Sequence, residues 1–174
     1  DTLIYSVSGT ELAISSSGIL TFVSAPDFET KTSYTAKITV NDGFNNTTQD
    51  ITVSVTNVND IAPVISSTAT FNVAENQTAV ATVAATDADG ENVTFSKTGG
   101  ADDAKFSINA TTGSLSFSSA PDFESPADTG SNNTYEVIVT VSDGANTDAQ
   151  TITVTVTDGN HQITSSAFSI TVES

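Results

Sequence analysis

The sequence contains no cysteine, tryptophan, methionine or arginine. Without cysteine there can be no disulfide, no thiolate metal site and no cysteine nucleophile. That absence does not fix a compartment, although it removes the risk of thiol oxidation in an oxidising one. The only strongly basic residues are four lysines, set against 21 aspartates and glutamates, for a formal charge of −17. Such a chain repels nucleic-acid phosphates and anionic lipid, so both are poor partners, and it attracts cations. No apolar run reaches membrane-spanning length, so no direct membrane insertion is expected. No signal peptide opens the sequence. The chain therefore reads as a piece of something exported and anchored elsewhere. Its single histidine, His161, makes a hydrolytic triad implausible, and there is no Gly-x-Ser-x-Gly elbow, P-loop or Rossmann fingerprint. No catalytic residue is expected.

What is present is a repeat. The stretch Ser24-Ala25-Pro26-Asp27-Phe28-Glu29 returns as Ser119-Ala120-Pro121-Asp122-Phe123-Glu124. A hairpin precedes each copy, Gly18 to Phe22 in one and Gly113 to Phe117 in the other. After each comes an alternating strand ending in Asp-Gly, with Tyr34, Ala36, Ile38 and Val40 matched by Tyr135, Val137, Val139 and Val141. A further strand carries Ile51, Val53 and Val55 in the first copy and Ile152, Val154 and Val156 in the second. An insertion near Ser125 to Ser131 separates the copies in length.

Apolar side chains at every second position face a core while Thr, Ser and Asn between them face water. β-Branched residues dominate, and no apolar stripe of helical period appears. About seven short strands per hundred residues, joined by Asn, Asp and Gly turns, predict an all-β protein of tandem immunoglobulin-like Greek-key sandwiches. Two further strands are expected over Phe71–Val73 and Val80–Ala85, and repeat 1 lacks their counterparts. Its Leu3, Tyr5, Ile38 and Val40 should consequently be exposed. At the other end, Ile163 to Glu173 aligns with Ile65 to Glu75. The parent protein is thus expected to continue in both directions. Alternatively, the tail strand of one molecule could fill the gap in a neighbour's repeat 1.

The acids gather at the ends of the repeats. Asp27-Phe28-Glu29 lies upstream of the short polar phrase Asn57-Val58-Asn59-Asp60-Ile61-Ala62-Pro63, and Asp87-Ala88-Asp89-Gly90 lies downstream. Read as extended segments, the first and last of these put both carboxylates on one side. The set, in its order and spacing, resembles the cadherin family, whose repeats carry Asp-x-Glu, an Asp-x-Asn-Asp-Asn-x-Pro linker, Asp-x-Asp, a first-strand Glu and an Asp-x-Gly. The resemblance implies cadherin-like repeats: a partial one over 1–58, a calcium-binding linker over 59–62, a complete one over 63–157, and over 158–174 a linker with the first strand of a third.

It also implies a calcium cluster at the first junction from Asp27, Glu29, Asn59, Asp60, the carbonyl of Ile61, Asp87, Asp89 and Asp143. Calcium wants six to eight oxygens in tolerant geometry, and this many carboxylates without an ion would repel. A weaker second set comprises Glu75, Asp122, Glu124, Asp158 and Asn160. There His161 stands where the linker's central Asp belongs, and imidazole is a poor calcium ligand. Each Asp taken singly is better explained as the opening of a turn; it is the set that points to calcium. Asp87 to Gly90 also looks like the start of an EF-hand loop, but position 12 falls on Thr98 and no flanking helix is expected.

The function implied is calcium-dependent adhesion, or rigid extension of a larger secreted or surface-anchored multi-repeat protein. Its partners would be calcium, neighbouring repeats, and either a homophilic or a polysaccharide surface ligand. The Asp/Asn/Thr-rich repeats and the Pro-Asp-Phe-Glu phrase look most like bacterial surface adhesins. The rival is a calcium-dependent carbohydrate-binding module, which would present exposed aromatics.

Overall fold

The computed structural model describes residues 2–159, and the chain divides after Asp60 into two compact units. The tail strand expected over Ile163 to Glu173, together with Asn160 and His161, lies outside the described residues.

In the first unit the alternating segments form β1 (Ile4–Val7), β2 (Leu12–Ile14), β3 (Leu20–Phe22), β4 (Ser33–Asn41) and β5 (Asn46–Ser54). β4 is the centre of an antiparallel sheet ordered β1-β4-β5, and β2 and β3 form a separate hairpin. Among the described residues of this unit, only Leu12 and Ala36 are buried and apolar. Leu3 is 46% exposed, as expected. Tyr5, Ile38 and Val40 are half-buried rather than exposed. The Tyr5 ring lies 3.3 Å from the Cβ position of Gly18, ahead of β3, so the hairpin supplies part of the missing cover.

The second unit is a complete sandwich. Its strands are β6 (Val64–Ile65), β7 (Thr70–Ala74), β8 (Ala79–Thr82), β9 (Ala85–Thr86), β10 (Thr94–Gly99), β11 (Phe106–Ile108), β12 (Ser114–Phe117), β13 (Thr134–Ser142) and β14 (Thr147–Thr157). One sheet runs β10-β13-β14-β7, with β7 parallel to β14, and the other runs β11-β12-β8. The single strand expected over Val80–Ala85 is in fact two. At Val83 the backbone leaves the β8 ladder and donates to Gly113 O (2.9 Å), while Ala84 O accepts from Ser66 N–H (2.9 Å). The chain thereby changes partner, from β12 to β6. Gly113 is indispensable to that crossing, because a Cβ there would stand 2.2 Å from Val83 O.

The core follows the two-residue period. Val137, Val139, Val141, Ile152, Val154 and Val156 are all at most 1% exposed. Each contributes about 1.5–3 kcal/mol of apolar burial.

Three of the polar residues buried here are structural. Asp102 is 4% exposed and accepts from Thr129 N–H (2.7 Å), Thr129 Oγ1 (2.9 Å) and Glu136 N–H (2.9 Å). Asp128 accepts from Asn132 and Asn133 N–H, both at 3.0 Å, and so folds the inserted loop back on itself. Asn133 in turn donates to Phe123 O (2.9 Å). Burial pushes the Asp102 carboxyl up, but the hydrogen bonds from Glu136 and Thr129 and the charge of Lys105 outweigh it and hold it below its ordinary value. Asp102→Ala strands those donors and is expected to destabilise the unit by about 2–4 kcal/mol at neutral pH. A depressed carboxylate stabilises above its unfolded value of 3.8 and loses that effect as pH falls through the lower folded value. The gap between wild type and mutant in urea denaturation should therefore narrow in strong acid.

Candidate metal centre

Two of the expected acids, Asp87 and Asp143, directly follow strand ends, and a third, Asp122, lies in the loop after β12; at all three the chain turns. Asp87 follows β9, and its Oδ1 accepts from the N–H groups of Asp89 (2.9 Å) and Gly90 (3.2 Å). Asp122 accepts from Glu124 and Ser125 N–H through Oδ1 (3.1 and 3.2 Å). Asp143 accepts from Ala145 and Asn146 N–H (2.7 and 2.6 Å) and, through Oδ2, from Asn146 Nδ2 (3.3 Å). Turn formation and metal binding are thus compatible for Asp87 and Asp122, where one oxygen holds the backbone. Asp143 commits both oxygens to its own turn.

Asp27 departs from expectation. The stretch Asp27-Phe28-Glu29 is a turn, not an extended segment. Lys31 N–H reaches Asp27 O (2.9 Å), and the Asp27 carboxylate accepts from Thr30 N–H (3.2 Å) and Thr30 Oγ1 (2.9 Å). The Thr30 hydroxyl, then its N–H, hold Asp27 below the usual carboxylate value. Glu29 stays beside it in that turn, its N–H and side chain also acting on the Asp27 carboxylate. Within the first unit, Glu29 also brings a carboxylate oxygen within 4.8 Å of one from Asp60, and both residues are exposed. Asn59 is half-buried beside them in sequence. Glu11 is engaged elsewhere, paired with Lys31 at 2.6 Å.

Within the second unit, two groups of acids converge. Asp87, Asp89 and Glu91 each place a carboxylate oxygen within 4.8 Å of the others, and Asp89 Oδ2 accepts from Ile61 N–H (2.8 Å). Glu91 was not foreseen. The segment is a turn rather than a strand, with Gly90 at φ +87°, so no two-residue alternation in the sequence marks Glu91. Partial desolvation, then the charges of Asp89 and Asp87, push the Glu91 carboxyl up.

The other group is Glu75, Glu124 and Asp158, again within 4.8 Å. With Asp122 and Asn76 they line an open cleft of about 390 Å³. Glu75 is 8% exposed and accepts from Phe123 N–H (3.1 Å) and Gly159 N–H (3.4 Å). The Glu124 carboxyl is lowered by its own N–H, but desolvation and the charges of Glu75, Asp158 and Asp122 outweigh this and raise it. Glu75 follows β7 and Asp158 follows β14, while Asp148 near the start of β14 accepts from Ile65 N–H of β6, which pairs with β9 ahead of Asp87. The eleven residues of β14 thus separate the two groups along the unit, a span of roughly 35 Å at strand rise.

The residues present fit a hard divalent cation. All donors are oxygens, which suits calcium rather than zinc or copper. Asp87 Oδ2 and Glu91 Oε2 are withdrawn from solvent and accept no hydrogen bond. A buried carboxylate oxygen left in that state costs free energy unless a cation or proton meets it. Of the aromatic residues described, only Phe44, 89% exposed at the β4–β5 turn, lies open to solvent, so no stacking platform for a sugar is formed. Among the described residues no helix is long and apolar enough to cross a membrane.

The comparisons with known proteins agree with this architecture. No curated protein sequence matches the chain. Similar solved structures include a protocadherin gammaB7 EC3-6 cis-dimer, 26% identical with a TM-score of 0.75, covering 89% of this chain and 40% of that one. Mouse cadherin-23 EC22-24 is 23% identical with a TM-score of 0.73, covering 90% and 53%. Human protocadherin-24 EC1-2 is 21% identical with a TM-score of 0.73, covering 92% and 84%. The chain thus spans only about two fifths to half of the first two chains. The model of the cadherin domain matches residues 69–157, just over half of the sequence and all within the second unit. The chain belongs to the cadherin domain family, an all-β, non-enzymatic module of the adhesion type.

Proposed function

We propose that the chain is a calcium-stiffened segment of an extracellular, surface-exposed adhesion protein built from consecutive repeats. The observation that carries this reading is the convergence of carboxylates at both ends of the second unit, Asp87, Asp89 and Glu91 at one and Glu75, Glu124 and Asp158 at the other. A lone domain has no use for two acidic apices. A link in an array does, because each apex completes its coordination with oxygens from the next repeat.

On this reading Glu29, Asn59, Asp60 and the carbonyl of Ile61 join Asp87 and Asp89 around shared ions, with Asp27 and Asp143 shaping the turns that present them. Bound calcium cancels repulsion among these carboxylates and turns a polar linker into a stiff joint. The likeness to protocadherin and cadherin-23 chains supports an extracellular setting and contact with neighbouring repeats. The Asp/Asn/Thr-rich composition favours a bacterial surface adhesin.

Asp60 supplies the linker's only charge, so Asp60→Ala should weaken calcium binding at this junction at least tenfold in calorimetric titration. Asp122→Ala, at the opposite end, should change the isotherm far less. Equal losses from the two substitutions would remove the distinction between the apices. A wild-type chain that takes up no calcium would end the proposal.

A further inference from the structure

Glu11 of the first unit and Lys105 of the second occupy the same place. Each stands just before the first strand of a hairpin, β2 or β11, and its carbonyl accepts from the residue after the second strand. Those bonds are Val23 N–H to Glu11 O (2.9 Å) and Ser118 N–H to Lys105 O (2.8 Å). The two corners are nevertheless finished differently. In the first unit Lys31 pairs with Glu11 at 2.6 Å and covers the Tyr34 ring, leaving a cavity of about 180 Å³. In the second unit the charge is reversed, and the segment that carries Lys31 gives way to the inserted loop. The cavity grows to about 350 Å³, with Ser125 and Ala127 of that loop in its wall. Ala127 N–H on the Tyr135 hydroxyl (3.1 Å) and Thr129 N–H on buried Asp102 (2.7 Å) hold the wall in place. Lys105 itself is exposed. Its charge acts on Asp102, yet its ammonium makes no ion pair among the described residues, whereas Lys31, Lys37 and Lys97 each do. In a chain with 21 acids and four lysines, that is the exception.

We infer that this cavity of the second unit is a binding site for one uncharged sugar unit of a polysaccharide. Lys105 supplies hydrogen-bond donors and Asp122 an acceptor, so the charges of the lining cancel. An anionic ligand would meet Asp122 and a net charge of −17, and a cationic one would meet Lys105. Ser119 and Ser125 can each donate and accept, as sugar hydroxyls do. Beside them Ala120 and Pro121 offer aliphatic carbon to the C–H face of a sugar ring. The rings of Phe117 and Tyr135 lie at the base, 3% and 1% exposed, so the site works without an aromatic platform. Its volume is at the lower end of the ~300–1,000 Å³ of small-ligand sites. The inference does not rest on the calcium reading, because Lys105 and the inserted loop belong to neither acidic group.

Saturation-transfer NMR on the full chain tests it, in calcium and in chelator. The probes are neutral oligosaccharides of glucose, galactose and mannose, with oligogalacturonate as the acidic comparison. At least one neutral probe should give transfer in both conditions, and oligogalacturonate should give less. Lys105→Ala should weaken that binding roughly tenfold, the loss of a hydrogen bond from a charged donor. Ala120→Phe, which fills the cavity, should abolish it. Both residues are exposed, so both variants should melt with the wild type. Val23→Phe, which fills the smaller cavity of the first unit, should change nothing. Absence of transfer from every neutral probe overturns the inference, as does binding that survives both second-unit variants or that prefers galacturonate. Transfer seen only with calcium would put the sugar on the ion and likewise overturns it. A chain that binds sugar but no calcium upholds it while ending the calcium reading.

Discussion

Adding calcium to the metal-free chain is expected to raise the melting temperature of the second unit by roughly 10–30 °C. An ion that binds only the folded state stabilises by about 2.7 kcal/mol at 100 times its Kd and about 4.1 kcal/mol at 1,000 times. A unit of this size shifts by about 4–8 °C per kcal/mol. Two things make the starting point low. The net charge of −17 opposes compaction, and two groups of three carboxylates each crowd within 4.8 Å. Magnesium should do much less, because it demands octahedral geometry and gives up its water reluctantly.

Acid should erase the increment. Glu91 and Glu124 have carboxyls raised above their ordinary 4.5, so protons reach them before most other acids, and a protonated carboxyl is a poor ligand. The sign for the metal-free chain is opposite. A carboxylate with a raised folded value destabilises when charged, so as pH falls through that value towards 4.5 the chain without calcium should become more stable at these groups. The calcium-loaded and calcium-free melting curves therefore converge on acidification. Differential scanning calorimetry with calcium and with chelator, from neutral pH to about pH 4, measures both trends. Curves that coincide at neutral pH would rule out calcium as the stabilising ion.

The long strands were legible because their two-residue period is strict. Every apolar position from Tyr135 to Val141 and from Ile152 to Val156 that alternation assigned to the core is buried. The break at Val83 was not legible. The run from Val80 to Ala85 is small and apolar but for Thr82, and periodicity says nothing about which neighbour a strand pairs with. What divides it is a change of partner from β12 to β6, a tertiary event.

The acids divide in the same way. Their position at the ends of repeats could be read directly, but their individual tasks could not. Asp27-Phe28-Glu29 carries the same letters as an extended pair of ligands, yet the Thr30 hydroxyl and N–H draw Asp27 into a turn. Local side-chain competition of this kind depends on a residue three positions away. Glu91 was overlooked for a different reason. It lies beyond the glycine that closes the familiar motif, and only the backbone path through Gly90 returns its carboxylate to Asp87 and Asp89.

The corresponding tyrosines of the two units should respond very differently to the same substitution. Tyr135 is 1% exposed, with its ring nearly perpendicular to Phe106 (6.3 Å between centroids) and to Phe117 (5.1 Å). Its hydroxyl accepts from Ala127 N–H at 3.1 Å, tying the inserted loop to the core. Tyr135→Ala removes an aromatic from a closed site and is expected to cost about 3–5 kcal/mol, enough to threaten folding of the unit without calcium. Tyr135→Phe keeps the ring packing and loses only the hydroxyl, for about 1 kcal/mol.

Tyr34 stands at the same place in the sequence repeat but is half-buried. It keeps one edge-on neighbour, Phe22 at 5.0 Å, and Lys31 Nζ lies 4.5 Å from its ring centre. Much of its surface already meets water, so Tyr34→Ala should cost about 1–2 kcal/mol. Denaturation followed by tyrosine fluorescence and by circular dichroism reads both. If the units unfold separately, each substitution should move its own transition and leave the other in place. A Tyr34→Ala penalty as large as that of Tyr135→Ala would mean that the first unit encloses its ring as fully as the second, against the exposure seen here.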